Sequence, residues 1–182
     1  MQGLGRKSSL DLKGIMRKKY STSLIVFLIL FCTNVYCAEI LGIYFPPYEN
    51  AHMPIINLYD GAEKYIHLAI YSLTKDEFAE ALTRAHKRGV EVKVLIDRIQ
   101  AAGRYADDEK LEKAGVELRR SKGSGLMHNK FAIIDGIIIY TGSYNHTDNA
   151  TTKNDENYII IKDQEVAGTF EKQFQKLWEK HR

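Results

Sequence analysis

Met127 to Asn157 read MHNKFAIIDGIIIYTGSYNHTDNATTKNDEN, a stretch that combines two apolar segments with a dense set of polar side chains. Lys130 to Ile134 and Ile137 to Tyr140 are rich in β-branched residues, which indicates two β-strands. Asp135-Gly136 stands between them, and an Asp-Gly pair between apolar segments is typical of a two-residue hairpin turn. The stretch therefore predicts an antiparallel hairpin followed by a polar segment.

Strands and helices alternate on both sides of this hairpin. Apolar residues at three- and four-residue intervals, such as Phe78, Ala81 and Leu82, predict surface helices. The predicted strands are Ile40–Phe45, Tyr65–Tyr71, Val90–Ile96, Val116–Leu118 and Ile159–Ile161, and the predicted helices are Ile55–Lys64, Lys75–Arg88, Asp107–Ala114 and Asp163–His181. Early strand-helix-strand alternation with a late hairpin predicts an α/β fold, in which a mixed β-sheet is flanked by helices on both faces.

The polar residues of the hairpin region suit chemistry at phosphorus. His128 and Lys130 lie two residues apart on a predicted strand, so their side chains emerge on one face. An imidazole nitrogen can attack the phosphorus of a diester while a neighbouring ammonium offsets charge on the non-bridging oxygens. After the next strand, Gly142 permits close approach of the backbone. Ser143 and Asn145 share a face, and together with Lys130 they are predicted to bind the phosphate.

The spacing of these residues resembles a known signature. His128-x-Lys130, four residues, Asp135, six residues, Gly142-Ser143-x-Asn145 is similar to the HKD motif of the phospholipase D superfamily. Three further stretches look like equivalents in the small bacterial endonucleases of that family, namely Ile70–Thr74, Ala85–Val90 and Val94–Asp97. Like those endonucleases, the chain carries a single copy of the motif.

The resemblance implies a mechanism in which one histidine forms a covalent phosphohistidine and a second protonates the leaving group and then activates water. With one motif per chain, it implies a symmetric homodimer that places two His128 rings face to face across the two-fold axis. Asn154-x-Glu156-Asn157 is similar to the family's downstream element, so Glu156 is expected to orient the histidine. Asp135 is included among the catalytic residues by the motif. Side chains supply the charge stabilisation, so no metal and no other cofactor is implied.

Asp135, Glu156 and a cluster of basic residues each have two possible interpretations. Asp135 fits a hairpin turn in any protein as well as it fits a catalytic site. Glu156 lies in a loop rich in Asn and Asp and could equally be solvated surface. Arg119, Arg120 and Lys122 precede the glycine-serine loop that leads into His128, and they form either a solvated face or a patch that grips nucleic acid.

The first 37 residues are interpreted as an N-terminal extension and signal peptide or membrane anchor. Basic residues 17–19 precede the apolar run Leu24–Cys32, and small residues lie before a cut after Cys37, which is the layout of a secretory signal. The run is shorter than the roughly 20 apolar residues of a membrane span, which favours a cleaved signal. We therefore expect a periplasmic or secreted protein, with membrane attachment through residues 20–38 if the leader is retained. Met16 opens a better-formed leader than Met1.

Residues 38–182, the predicted phospholipase D-like domain, carry no excess of positive charge. The chain has 26 Lys and Arg against 23 Asp and Glu, but residues 1–37 hold six of the basic and one of the acidic residues. Overall basicity therefore does not indicate nucleic-acid binding. An apolar content of 45% excludes a disordered chain. Both cysteines lie in the leader, so cysteine catalysis and cysteine-ligated zinc are excluded for residues 38–182.

Three functions are compatible with these observations. The first is a metal-independent phosphodiesterase, a non-specific endonuclease that cuts DNA and also RNA through a phosphohistidine in a homodimer. The alternative is a phospholipase D or cardiolipin hydrolase. The third, a non-catalytic nucleic-acid-binding or uptake protein, is disfavoured by the intact motif. The small size, with no obvious lipid-binding insertion, favours the nuclease.

Overall fold

A seven-stranded mixed β-sheet runs through the protein in the order β1-β7-β6-β5-β2-β3-β4. Its strands are β1 (Glu39–Tyr44), β2 (Tyr65–Ile70), β3 (Glu91–Ile96), β4 (Glu117–Arg120), β5 (Lys130–Ile134), β6 (Ile138–Gly142) and β7 (Tyr158–Lys162). β2, β3 and β4 are parallel, and all other neighbours are antiparallel. The structure, a computed structural model, describes residues 37–182. The predicted leader, apart from Cys37, lies outside the described residues.

Six helices accompany this sheet within residues 37–182. They are α1 (Met53–Gly61), α2 (Asp76–Lys87), α3 (Arg98–Ala101), α4 (Asp108–Lys113), α5 (Asp148–Thr152) and α6 (Gln164–Lys180). The sequence did not predict α3 and α5, because four and five residues are too few for an amphipathic repeat. Side chains start both of them: Asp97 accepts hydrogen bonds from the first turn of α3, and Thr147 does so for α5.

The two faces of the sheet bury separate apolar clusters. Ile66, Leu68 and Ile70 of β2 pack on the side that also buries α1, α2 and α4. Ala69, on the opposite face of the same strand, belongs to a second cluster with Phe174 and Trp178 of α6. Because both faces are covered by helices, the predicted α/β fold with a flanked mixed sheet is confirmed.

The turn between β5 and β6 is one residue longer than predicted. Ile134 pairs with Ile138, which leaves residues 135–137 as a three-residue loop. Asp135 and Gly136 both take positive φ values, 55° and 73°, which explains the need for Asp and Gly here. The Asp135 carboxylate accepts hydrogen bonds from the backbone amides of residues 63–65, at 2.7 to 3.0 Å. Asp135 thus ties the hairpin to the start of β2.

One edge of the sheet collects the polar residues singled out in the sequence. β2 and β3 end at this edge and β5 begins there, since β5 runs antiparallel to β2. β6 also ends there, and β7 begins there. The segments that contain His128, Ser143 and Glu156 therefore meet, and we call this the catalytic edge. None of the helices in the described part of the chain is long and apolar enough to cross a membrane.

Candidate active site

Lys130 is the first residue of β5, and its side chain is held close to the backbone of His128. The Lys130 side chain is buried, and its Nζ donates a hydrogen bond to the His128 carbonyl oxygen at 2.9 Å. Burial lowers the pKa of Lys130, and the negative charge of Glu156 opposes this shift. The Lys130 ammonium is therefore fixed beside the backbone of His128.

His128 lies just before β5, not within a strand as the sequence predicted, and it is exposed. Its ring centroid lies 4.5 Å from that of Tyr71, with a tilt of 56° between the planes. Among residues 37–182, no side chain hydrogen-bonds to the His128 imidazole. Both ring nitrogens are therefore available to a substrate or to another protein chain.

Glu156 holds Ser143 instead of His128. The Ser143 hydroxyl donates a hydrogen bond to one oxygen of the Glu156 carboxylate, and Asn154 Nδ2 donates to the other at 3.2 Å. The backbone amide of Asn157 donates to Ser143 Oγ at 3.0 Å. The expected orientation of His128 by Glu156 is thus not formed within one chain, and Glu156 instead sets the rotamer of a predicted phosphate ligand.

Asn145 has its side-chain oxygen anchored and its side-chain nitrogen available. Its Oδ1 accepts a hydrogen bond from the backbone amide of Ser72 at 3.2 Å. Within the described residues, nothing accepts a hydrogen bond from Asn145 Nδ2. Its amide hydrogens can therefore donate to a phosphate, as predicted.

Gly142 is required for the close approach of the segment before β7, because a Cβ at this position would lie 2.1 Å from the Asn157 carbonyl oxygen.

Two open clefts flank this site. The first, of about 380 Å³, is lined by His128, Lys130, Phe131, Thr141, Phe170 and Gln173. The second, which we call the polar cleft, measures about 490 Å³ and is lined by Tyr71, Gln100, Tyr105, Asn145, Asn149 and Asn154, among others. A substrate centred on His128 can therefore extend in both directions along the catalytic edge.

Comparison with known proteins identifies the family of this arrangement. Residues 55–178 match the family model described as cardiolipin synthase, PLD-like domain. This chain belongs to the phospholipase D superfamily. The match covers most of the described residues, including β2 to β7 and every predicted site residue.

Individual members of the superfamily show how far the similarity extends. The chain is 32% identical over 136 residues to the mitochondrial cardiolipin hydrolase of Chlamydomonas reinhardtii, which covers 72% of this chain and 61% of that protein. It is 37% identical over 116 residues to a phospholipase D of Rickettsia conorii, covering 64% and 58%. The chain thus spans about three-fifths of these curated relatives. The crystal structure of Nuc, a phospholipase D family member from Salmonella typhimurium, superposes with a TM-score of 0.75 at 30% identity, covering 80% of this chain and 97% of that one.

Asp135 lies apart from the other residues of the motif. It follows the last residue of β5, while Lys130 is the first, and its two carboxylate oxygens already accept the three backbone hydrogen bonds of the hairpin. Its position supports the structural interpretation and not the catalytic one. The aspartate of the motif therefore stabilises the frame that carries His128.

The three basic side chains predicted to bind nucleic acid each contact other residues of the fold. Arg119 and Arg120 are consecutive residues of β4 and point to opposite faces of the sheet. The Arg119 guanidinium lies 4.1 Å from the Trp178 ring centroid and donates to the Trp178 carbonyl oxygen. Arg120 forms ion pairs with Asp108 and Glu112 of α4, and Lys122 Nζ donates to the carbonyl oxygen of Arg182.

Two residues that the sequence did not single out support the site. The buried side chain of Asp97 accepts hydrogen bonds from the Met127 amide at 2.9 Å and from the Ile99 amide at 2.9 Å. Burial raises the pKa of Asp97, but these backbone hydrogen bonds outweigh burial and hold it below the ordinary value. Tyr71 contacts both His128 and Lys130. For Asp97, a polar residue directly after a predicted buried strand was the available signal.

Proposed function

We propose that this chain is a metal-independent phosphodiesterase that acts as a homodimer through a phosphohistidine intermediate. The observation that carries the proposal is the meeting of His128, Lys130 and Asn145 at one edge of the sheet, with the Lys130 ammonium anchored to the backbone of His128. Membership of the phospholipase D superfamily supports the same reaction class. Within residues 37–182, no group of three or more His, Cys, Asp or Glu side chains could hold a metal ion.

The reaction would proceed in two displacements at phosphorus. An imidazole nitrogen of one His128 attacks, a phosphorus–nitrogen bond forms, and the bond to the leaving oxygen breaks while the partner subunit's His128 gives that oxygen a proton. Water then attacks the phosphohistidine, and the second histidine removes its proton as the phosphorus–nitrogen bond breaks. Lys130 and Asn145 offset the charge on the non-bridging oxygens in both steps.

A homodimer is needed because one histidine cannot attack from one side and protonate the leaving oxygen on the other. Two of the other described histidines are engaged by neighbouring side chains. His146 is fully buried and contacts the hydroxyl oxygens of Tyr59 and Tyr140, and His67 contacts Glu91 and Glu171. A second copy of His128 supplies the missing acid, and the exposure of this side chain permits such an approach.

DNA is the proposed substrate, with RNA as a second. The polar cleft offers a surface that suits nucleobases, since the Tyr105 ring is 74% exposed and the side-chain amides of Gln100, Asn149 and Asn154 line the same space. Aromatic rings stack on bases without regard to sequence. The small bacterial endonucleases that the motif resembles and the nearly full-length match to Nuc support this substrate.

A phospholipid is the second candidate, and exposed apolar side chains favour it. Phe45 is 70% exposed and precedes Pro46, whose carbonyl oxygen accepts a hydrogen bond from the Glu156 amide. Leu126, two residues before His128, is 55% exposed. Apolar side chains beside a phosphodiester site are suited to contact acyl chains. The relatives named as cardiolipin hydrolase and phospholipase D point the same way.

A substrate panel separates the two candidates. The full chain would be incubated in chelator with plasmid DNA, single-stranded DNA, RNA and cardiolipin vesicles, and a His128→Ala variant would serve as the inactive control. Cleavage of nucleic acid without release of phosphatidic acid supports the nuclease, and the reverse result supports the lipase. No turnover of any of the four substrates by a folded protein would contradict the phosphodiesterase.

The leader is proposed to direct the domain to the periplasm or outside the cell, with residues 20–38 contacting the membrane if they are retained. The basic and apolar segments before residue 37 support this proposal. Cell fractionation followed by intact-mass measurement distinguishes a chain cut after Cys37 from a retained anchor, and a full-length chain in the soluble cytoplasmic fraction would contradict both.

A further inference from the structure

Tyr71 contacts two of the side chains that the proposed reaction uses. It follows the last residue of β2, on the same catalytic edge, and its ring centroid lies 4.5 Å from that of His128. The Nζ atom of Lys130 lies 4.7 Å from the same ring centroid. A single aromatic ring therefore contacts the imidazole and the ammonium that the proposed reaction uses.

A hydrogen bond to the Tyr71 hydroxyl fixes the orientation of this ring. Gln100 Nε2 donates a hydrogen bond to the Tyr71 hydroxyl at 3.1 Å. Gln100 belongs to α3, whose first turn is held by the carboxylate of Asp97, and the same carboxylate accepts from the Met127 amide. The Tyr71 ring and the backbone that leads into His128 are thus tied to one buried acid.

The charge on Lys130 needs such a contact. No ion pair to Lys130 forms within residues 37–182, and burial disfavours its ammonium form. Glu156 is the charged side chain that acts on it, but its two oxygens accept hydrogen bonds from Ser143 and Asn154. The face of an aromatic ring attracts a cation, and most strongly where water is displaced.

We propose that Tyr71 is a positioning residue, whose ring keeps the Lys130 ammonium charged and in place and holds the His128 imidazole ready for attack. It acts through these two side chains and not by contact with the reacting phosphate. The inference deepens the proposed phosphodiesterase function and rests on it for its kinetic consequences. The effect of the ring on Lys130 can be measured without any turnover.

Two substitutions separate the ring from the hydroxyl. Tyr71→Phe keeps the ring and loses the hydrogen bond from Gln100, whereas Tyr71→Leu removes the ring. Tyr65→Leu is the matched control, because Tyr65 is a half-buried tyrosine at the opposite end of β2. We expect Tyr71→Leu to lower kcat by about three- to thirty-fold, the range of a cation–π contact, with KM changed by less than about threefold. Tyr71→Phe should retain most of kcat.

The titration of Lys130 provides the readout that a merely structural role would not move. In the full chain with 13C-methylated lysines, the Lys130 signal is assigned by its absence from a Lys130→Arg variant. Loss of the ring removes a stabiliser of the charged form, so the Lys130 pKa should fall in Tyr71→Leu and stay within the wild-type range in Tyr71→Phe and Tyr65→Leu. The alkaline limb of the kcat profile should move to lower pH in Tyr71→Leu alone.

Two results would overturn the proposal. One is an unchanged Lys130 titration in a folded Tyr71→Leu variant, and the other is an equal loss of kcat in Tyr71→Leu and Tyr65→Leu. If the wild-type chain cleaves no phosphodiester, the proposed function fails, while the Lys130 titration still decides whether the Tyr71 ring stabilises the ammonium.

Discussion

The buried carboxylate of Asp97 accepts a hydrogen bond from the backbone amide of Met127, the residue directly before His128. Its other oxygen accepts from the amides of Ile99 and Gln100 at the start of α3. One side chain at the end of β3 therefore anchors two segments of the catalytic edge, the approach to His128 and the short helix beside the polar cleft.

Replacement of Asp97 should cost both stability and activity. In Asp97→Ala, three backbone amides lose their acceptor, which should lower the free energy of unfolding by about 3 kcal/mol. The freed segment should also let His128 move, so kcat should fall by more than about tenfold in protein that is still folded. Urea denaturation and steady-state kinetics measure the two effects.

Asp60→Ala is the control, because it removes an exposed ion pair with Arg84. It should lower the free energy of unfolding by at most about 1 kcal/mol. An equal loss of stability in Asp97→Ala and Asp60→Ala would contradict the anchoring role of Asp97.

The three basic residues before the glycine-serine loop are expected to stabilise the fold and not to bind nucleic acid. Arg120→Ala leaves the buried Asp108 without its ion pair, so we expect a loss of about 1–2 kcal/mol in the free energy of unfolding, discounted for the partly exposed guanidinium. The salt dependence of DNA binding should remain that of the wild type, because the slope counts phosphate contacts. Fluorescence anisotropy at several salt concentrations measures the slope of log affinity against log salt concentration. A slope reduced by one or more ions in Arg120→Ala would show that this side chain contacts a phosphate.

Buried His146 should make the protein less stable in mild acid. Burial lowers its pKa from 6.5 to about 3, so the native state excludes a proton that the unfolded state binds. The stabilising effect is complete above the unfolded pKa and is lost as the pH falls below about 6.5, by about 1.4 kcal/mol for each pH unit. Unfolding curves between about pH 6 and pH 5 measure the slope, to which His52 and His181 also contribute because their pKa values are lowered by burial.

A His146→Gln variant isolates the share of this one residue. Its glutamine side chain can still hydrogen-bond the hydroxyl groups of Tyr59 and Tyr140, but it cannot take up a proton. The slope of stability against pH should therefore decrease by about one proton relative to the wild type. An unchanged slope would show that His146 does not stay neutral in the native protein.

Cleavage should not depend on a divalent metal ion. The proposed mechanism assigns charge stabilisation to Lys130 and Asn145, so excess EDTA should leave the rate within about twofold of the untreated enzyme. Initial rates with EDTA, and after readdition of magnesium or zinc, provide the measurement. A rate abolished by the chelator and restored by one metal would require a different mechanism. Inhibition by added metal alone is the expected effect of masking substrate phosphates.

The sequence predicted the helices and strands and those site residues that lie close together in the chain. It did not predict the contacts between residues that are far apart in the sequence. Apolar periodicity predicted every strand of the sheet to within two residues, and the motif spacing identified His128 and Lys130. The ion pairs of Arg120 depend on how α4 packs beside β4, which local pattern does not encode. One local signal was available and was missed: Arg119 and Arg120 are adjacent in a strand, so they cannot share a face. The contact of Tyr71 with His128 required the pairing of β2 with β5.

The proposed dimer can be tested by mixing active and inactive chains. Wild-type chains would be co-expressed with His128→Ala chains that carry a different affinity tag, so that the two kinds pair at random. The wild-type fraction is varied, and mass spectrometry of the purified mixture gives its value. A Lys87→Ala chain in place of the His128→Ala chain is the control, because Lys87 lies at the end of α2 and outside the site.

Each model predicts a different dependence on the wild-type fraction. If every working centre needs His128 from both subunits, a mixed dimer holds only one of the two rings and is inactive, so activity falls as the square of that fraction. If each chain works alone, activity falls in direct proportion. At equal mixing the two models predict about one quarter and about one half of the wild-type activity, a difference that a routine assay resolves. A linear dependence in freely exchanging dimers would show that one His128 suffices, and the acid would then have to come from elsewhere in the same chain.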